Sequence, residues 1–206
     1  MPTRLVHWLI AGLVVFSWWS ATHDHLSWHR LSGYLVLGLL IFRVIWGVAG
    51  SETARFSHFL RGPRAVLAYA RSGAQGGIGH NPLGGWSIVA MLAMLIVQVG
   101  LGLFSVDEDG LEAGPLSKFV DFDTGRAIAH LHHLGFTVLL GLIALHLLAV
   151  AAYALRGRHL TVPMITGRAT LSPDAPALRF AGPWRVVVAA AVAAGVAWFV
   201  ARGLRL

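Results

Sequence analysis

Long, uninterrupted blocks of apolar residues constrain this chain more than any other feature. Four of them run from about Leu5 to Ala21, His29 to Ala49, Leu83 to Val106 and Arg126 to Leu155. Each is long enough to cross about 30 Å of hydrocarbon at roughly 1.5 Å per residue. A fifth block runs from about Trp184 to Val200. A bilayer offers no water to backbone N–H and C=O groups, so each block must satisfy its own by i to i−4 bonding. The expected fold class is therefore all-α integral membrane. Composition agrees, with 56% of the 206 residues hydrophobic and 12% charged.

Two composition facts narrow the chemistry. The chain has no cysteine, which excludes disulfides, iron–sulfur clusters and the C-x-x-C-H attachment of c-type haem. The net charge of +7 resides on arginines scattered through inter-helix loops. No soluble basic domain carries them, so membrane topology accounts for them better than nucleic acid does. The first block ends in the bulky Phe16, Trp18 and Trp19, not in the small residues of a cleavage site, and is read as a retained span.

His23, Asp24 and His25 form a short polar turn between the first two spans, which implies a hairpin. In the loop from Gly50 to Pro82, Gly62-Pro63 opens a stretch with Val66, Leu67 and Ala70 on one face and Arg64 and Arg71 elsewhere. That pattern predicts an amphipathic helix on the membrane surface. The connector holding Arg156, Arg158, Arg168 and Arg179 has no usable periodicity and reads as loop. Two units result: a four-helix membrane domain over 1–168, and a connector with an additional transmembrane helix over 169–206.

Arg4, the loop with Arg55, Arg61, Arg64 and Arg71, and the connector all fall on one side of the membrane. The positive-inside rule makes that side, and the N-terminus, cytoplasmic. The other side holds Asp24, Asp107, Glu108, Asp109, Glu112, Asp121 and Asp123, offset in that loop by Lys118 and Arg126. Arg202 and Arg205 end on this acidic side, against the rule.

Ionisable groups inside a bilayer are costly and mark functional positions. For a single histidine, a hydrogen bond to a neighbouring helix explains it equally well, but several at matched depths point to a shared ligand. Of His130, His132 and His133, only His132 shares a face with His146. The fourteen-residue step leaves that pair about 40° apart around the helix and roughly 21 Å apart along it. Iron in a b-type haem needs a second imidazole from a facing helix at equal depth. His7 lies at the depth of His146 and His29 at that of His132, so two non-covalent b haems are expected, an inner one on His7 and His146 and an outer one on His29 and His132.

Arg43, fourteen residues after His29, either neutralises a propionate of the inner haem or snorkels to the cytoplasmic headgroups. Gly33 is either a haem-packing position or an ordinary membrane-helix glycine. Gln98, the one strongly polar residue of the third span, bonds a haem edge, a quinone carbonyl or another helix, the last being preferred. His23, His25, His58, His80 and His159 receive no ligand role. The segment from Gly77 to Trp86 lacks the Lys-Ser/Thr of a phosphate-binding loop, and its Pro82 and Gly84 read as the start of span three.

The chain resembles the bacterial cytochrome b-561 and nickel-iron hydrogenase cytochrome b subunit family over about residues 3 to 168. The resemblance rests on RLVHWL around His7, HRLSGY and FRVIWG around His29 and Arg43, and RFSHFLRGPRAVLAY. It rests further on GHNPLGGW, GPL at Gly114, the His132/His146 pair and MITGR at Met164. It implies a four-helix core in the bacterial inner membrane, with two b haems on His7, His29, His132 and His146. It also implies electron transfer between the quinone pool and a periplasmic c-type cytochrome, dehydrogenase or hydrogenase. No residue then acts as acid, base or nucleophile, and the enzymatic variant is superoxide oxidation with quinone reduction. A different class, a transition-metal transporter, also suits imidazoles, but the spans lack intramembrane carboxylates and the histidines pair at two separate depths. The residues after about Thr170 lie outside the resemblance.

Overall fold

The computed structural model of the protein describes residues 2–72, 82–168 and 179–205. Its described residues form eight α-helices: α1 (Pro2–Thr22), α2 (Leu26–Ala49), α3 (Phe56–Phe59), α4 (Pro63–Ser72), α5 (Pro82–Phe104), α6 (Phe122–Leu155), α7 (Thr161–Thr166) and α8 (Pro183–Ala201). Five of them, α1, α2, α5, α6 and α8, are long and apolar enough to cross a membrane. Four helices (α1, α4, α5 and α8) begin on proline, whose fixed φ suits the first turn and whose missing N–H would have no partner there.

The long helices pair as antiparallel hairpins, α1 with α2 and α5 with α6, and α2 joins the two by packing on α5. Val6 and Ile10 of α1 enter one apolar cluster with Val36, Leu40, Phe42 and Trp46 of α2, Leu95 of α5 and Leu139 of α6. Most other large apolar side chains point outward, among them Leu9, Val15, Val97, Leu145 and Leu148. In water this would be a liability, whereas in a bilayer it is the lipid-facing surface.

Boundaries differ from the sequence reading in three places. Helix α6 starts at Phe122, earlier than expected, because the Asp121 carboxylate caps it by accepting from the Thr124 amide at 2.9 Å. The connector contains α7, ended by Gly167 in the left-handed conformation (φ 75°), and is not plain loop. A short helical turn, α3, precedes the expected surface helix α4. The segment 77–81 and the ring of His80 lie outside the described residues.

Helix α8 packs along α2 through a stripe of small residues. Ala189, Ala193 and Ala197 are buried, and a Cβ added at Gly38 of α2 would lie 3.5 Å from the Ala197 Cβ. This small-residue face of α8 therefore seats on α2 of the same chain. Hydrogen bonds between Glu52 and Arg179, and from the Ala181 amide to the Ser51 hydroxyl, fix the entry to the helix.

The basic segments meet at one end of the bundle. Arg4 donates to the Ile165 carbonyl at 2.9 Å, and the hydroxyls of Tyr69 and Tyr153 join α4 to the end of α6 at 2.7 Å. The acidic loop occupies the opposite end, where a bridge between Val106 and Ala113 orders it and Arg30 pairs with Glu112. Gly114 is obligatory there, since a Cβ would collide with the carbonyls of Gly102 and Leu103.

Candidate functional site

His29 closes the first turn of α2 and His132 lies in the third turn of α6, and the structure brings the two rings together. Their centres are 6.0 Å apart and their planes cross at 86°. Two imidazoles gripping one metal at about 2 Å per bond have ring centres about 6 Å apart, so this separation fits a shared iron. At the start of α6, His132 is half-buried while His130 and His133 are exposed.

Hydrogen bonds fix the protonation of both rings. His29 Nδ1 lies 2.9 Å from the Ser17 carbonyl, with the Ser17 hydroxyl at 3.0 Å. His132 Nδ1 lies 2.9 Å from the Gln98 carbonyl. A carbonyl only accepts, so each Nδ1 carries a proton and donates it, and in the neutral ring the lone pair then sits on Nε2. That is the tautomer a haem ligand requires, and an anchored Nδ1–H both orients the ring and raises its basicity.

Ser17 and Gln98 reach these positions for legible reasons. The first hairpin turns around His23, so Ser17 and His29, six residues to either side, face each other across it. The α1–α2 contact here is made of small polar residues, Ser20 and Ser32 both being fully buried and bonded to the carbonyls of Ser17 and His29. Gln98 also donates its side-chain amide to the His132 carbonyl at 2.9 Å, so its role is toward another helix, as preferred from sequence. Two glycines let the α5 and α6 side chains come this close. A Cβ at Gly102 would lie 3.1 Å from His132 Cε1, and one at Gly135 would lie 2.5 Å from Gln98 Oε1. Sequence reasoning missed Ser17, Gly102 and Gly135; the hairpin symmetry about His23 was the available signal for the first.

His7 and His146, expected to hold the inner haem, are not brought together in the same way. His7 is exposed on α1, edge-on to Trp8 at 5.0 Å between ring centres, while His146 is half-buried on α6. No ring contact joins His7 to His146 among the described residues, and neither ring has a hydrogen-bond partner there. The backbone around His7 is nevertheless clamped. Arg4 donates to the Ile165 carbonyl, Trp8 Nε1 donates to the Met164 carbonyl at 3.1 Å, and a Cβ at Gly167 would collide with the Arg4 guanidinium. RLVHWL and MITGR, at opposite ends of the expected domain, are therefore two halves of one joint.

Arg43 is buried, so the snorkelling alternative does not hold. Its guanidinium stacks 4.9 Å from the Phe56 ring centre and donates to the Ala54 carbonyl at 3.4 Å, tying α2 to the segment that follows it. Gly47 admits the same Phe56 ring, which a Cβ would strike. A Cβ at Gly33 would meet nothing within 4 Å.

A membrane-spanning helical bundle that brings two anchored imidazoles from different hairpins to 6.0 Å between ring centres fits the class of a membrane haem-b protein. Comparison of the sequence with known families bears this out: the prokaryotic cytochrome b561 family matches residues 1–167, and the chain belongs to that family. It is accordingly a multi-pass bacterial membrane protein, a b-type cytochrome that binds haem b and acts in electron transfer. Comparisons with curated proteins and with solved structures return no match.

Proposed function

We propose that the chain is a di-haem cytochrome b that passes electrons between a periplasmic redox partner and the membrane quinone pool. The observation that carries this reading is the His29–His132 ring pair, spaced at 6.0 Å with both Nδ1 atoms anchored. Those two histidines would hold an outer haem, and His7 with His146 would hold an inner one. When bound, haem b supplies one-electron chemistry between ferric and ferrous iron. The chain supplies the rest. Ser17 and Gln98 hold the ligand rings, the apolar faces of the hairpins lower the local dielectric, and Arg43 places a fixed positive charge toward the inner end. Burial and positive charge of this kind shift a haem's potential, which is how one scaffold orders two centres for directional flow.

The charge asymmetry supports an N-terminus in the cytoplasm and an acidic loop facing the periplasm, where a basic c-type cytochrome, or a dehydrogenase or hydrogenase subunit, docks. The deciding measurement is a pyridine haemochrome assay on the purified chain. Two b haems per chain support the proposal, and one or none overturns it.

A further inference from the structure

The turn that follows α8 meets the loop between α5 and α6 at the bundle end that carries His29 and His132, and a cleft of about 270 Å³ opens between them. Pro115, Lys118, Ala201, Arg202, Gly203 and Arg205 line it; three of these are cationic and none is acidic. Backbone geometry assembles the charges. Gly203 and Leu204 both adopt left-handed φ angles, 65° and 61°, which turns the chain back over the loop. A Cβ on Gly203 would lie 2.8 Å from the Pro115 carbonyl, so the turn and the loop are in close contact. Lys118 Nζ donates to the Gly203 carbonyl at 2.5 Å, and an ammonium has two further hydrogens to give.

No ion pair joins Lys118, Arg202 or Arg205 to an acid among the described residues; Glu112 pairs with Arg30 and Asp121 caps α6. Like charges gathered at the edge of a low-dielectric bundle repel unless an anion joins them. Exposed aromatics give the depth of the cleft: Arg202 lies 4.8 Å over Trp198, and Lys118 lies 5.0 Å over Phe119. Exposed Trp and Phe at a helix end mark the headgroup layer of a bilayer. The cleft is shallow and open, so a headgroup phosphate can reach its three cations from the membrane surface.

We propose that this cleft binds the phosphate of an anionic phospholipid, with the forks of Arg202 and Arg205 and the Lys118 ammonium as its ligands. The site is built from the C-terminal extension and from the loop it leans on, so it couples the extra helix to the haem-bearing domain through a lipid.

The test uses full-length, haem-loaded protein in non-ionic detergent, with bound lipid counted by native mass spectrometry against added phosphatidylglycerol or phosphatidylcholine. The expected result is a preference for phosphatidylglycerol that falls about tenfold in R202Q/R205Q, with the haem spectrum unchanged. Equal retention by wild type and variant overturns the proposal. So does displacement of phosphatidylglycerol by millimolar inorganic phosphate, which would make this a site for soluble anions. Should the double variant fail to fold, Arg205→Gln alone gives the same comparison, because that residue lies beyond the helix and outside its hydrogen bonds.

Discussion

At the scale of single residues, the ring pair turns on two backbone carbonyls. The Ser17 and Gln98 carbonyls each accept from a histidine Nδ1 at 2.9 Å, and neither can be removed by changing a side chain. The sensitive positions are therefore the ligands themselves and the glycines that make room. His29→Ala or His132→Ala is expected to reduce the haem count from two to one per chain in a haemochrome assay; an unchanged count would remove both residues from the ligand set. Gly102→Val places new carbon against a ring that already lies 3.1 Å from where a Cβ would be. Because the ring is held through Nδ1, it has little freedom to yield. The variant is expected to lose one haem or to shift one midpoint potential while the other stays fixed, read by a redox titration in the visible. That His132, and not His130 or His133, turns toward His29 was legible from helical spacing. Their anchors were not, because a backbone carbonyl leaves no mark in a sequence and becomes a partner only when two helices cross at a particular height.

At the scale of elements, three joints decide how the helices sit. The first is the clamp of Arg4 and Trp8 on the α7 segment, which fixes the turn of α1 that presents His7. Arg4→Ala with Trp8→Phe is expected to lower occupancy of the inner haem while leaving the outer one intact, seen as loss of one component in the redox titration. The second is the alanine stripe on α8. Ala193 is 3% exposed against α2, so Ala193→Leu overpacks a tight seam and should cost about 1–3 kcal/mol, measured as a lower Tm in detergent. The third is the cap of α6. The Thr124 amide, followed by its hydroxyl, holds the Asp121 carboxyl below its ordinary range. A depressed carboxylate pKa contributes stability above the unfolded-state value, and that contribution is lost as pH falls through the folded value. The stability gap between wild type and Asp121→Ala should be full above about pH 4 and close below it, checked by melting curves across acid pH. Five spans and the surface helix α4 were readable from hydropathy and amphipathicity. The helix α7 was hidden because a single short turn has no periodicity, and its reason for existing, the grip on Arg4, is more than 150 residues away in the chain.

At the scale of the whole molecule, the bundle is polar end to end in charge as well as in fold. Arg4, Arg55, Arg61, Arg64, Arg71, Arg156 and Arg158 gather where α1 begins and α6 finishes, while the loop from Asp107 to Asp123 carries most of the acids at the other end. The second end also carries the anchored ring pair, so an outer partner attracted by the acids would arrive beside His29 and His132. Glu108, Asp109 and Asp123 are exposed and make no ion pair among the described residues, so they project a field without holding the loop together. Long-range steering acts on the encounter rate and is screened beyond a Debye length of about 10 Å at 0.1 M salt. The variant E108Q/D109N/D123N should therefore reduce a basic c-type cytochrome about tenfold more slowly than wild type at low ionic strength in a stopped-flow assay. The two rates should converge as salt rises toward about 1 M, where the Debye length is near 3 Å. A variant that stays equally slow at every salt concentration would show that the substitutions damaged the loop or the haem pair, and equal rates at low salt would place the partner's dock elsewhere.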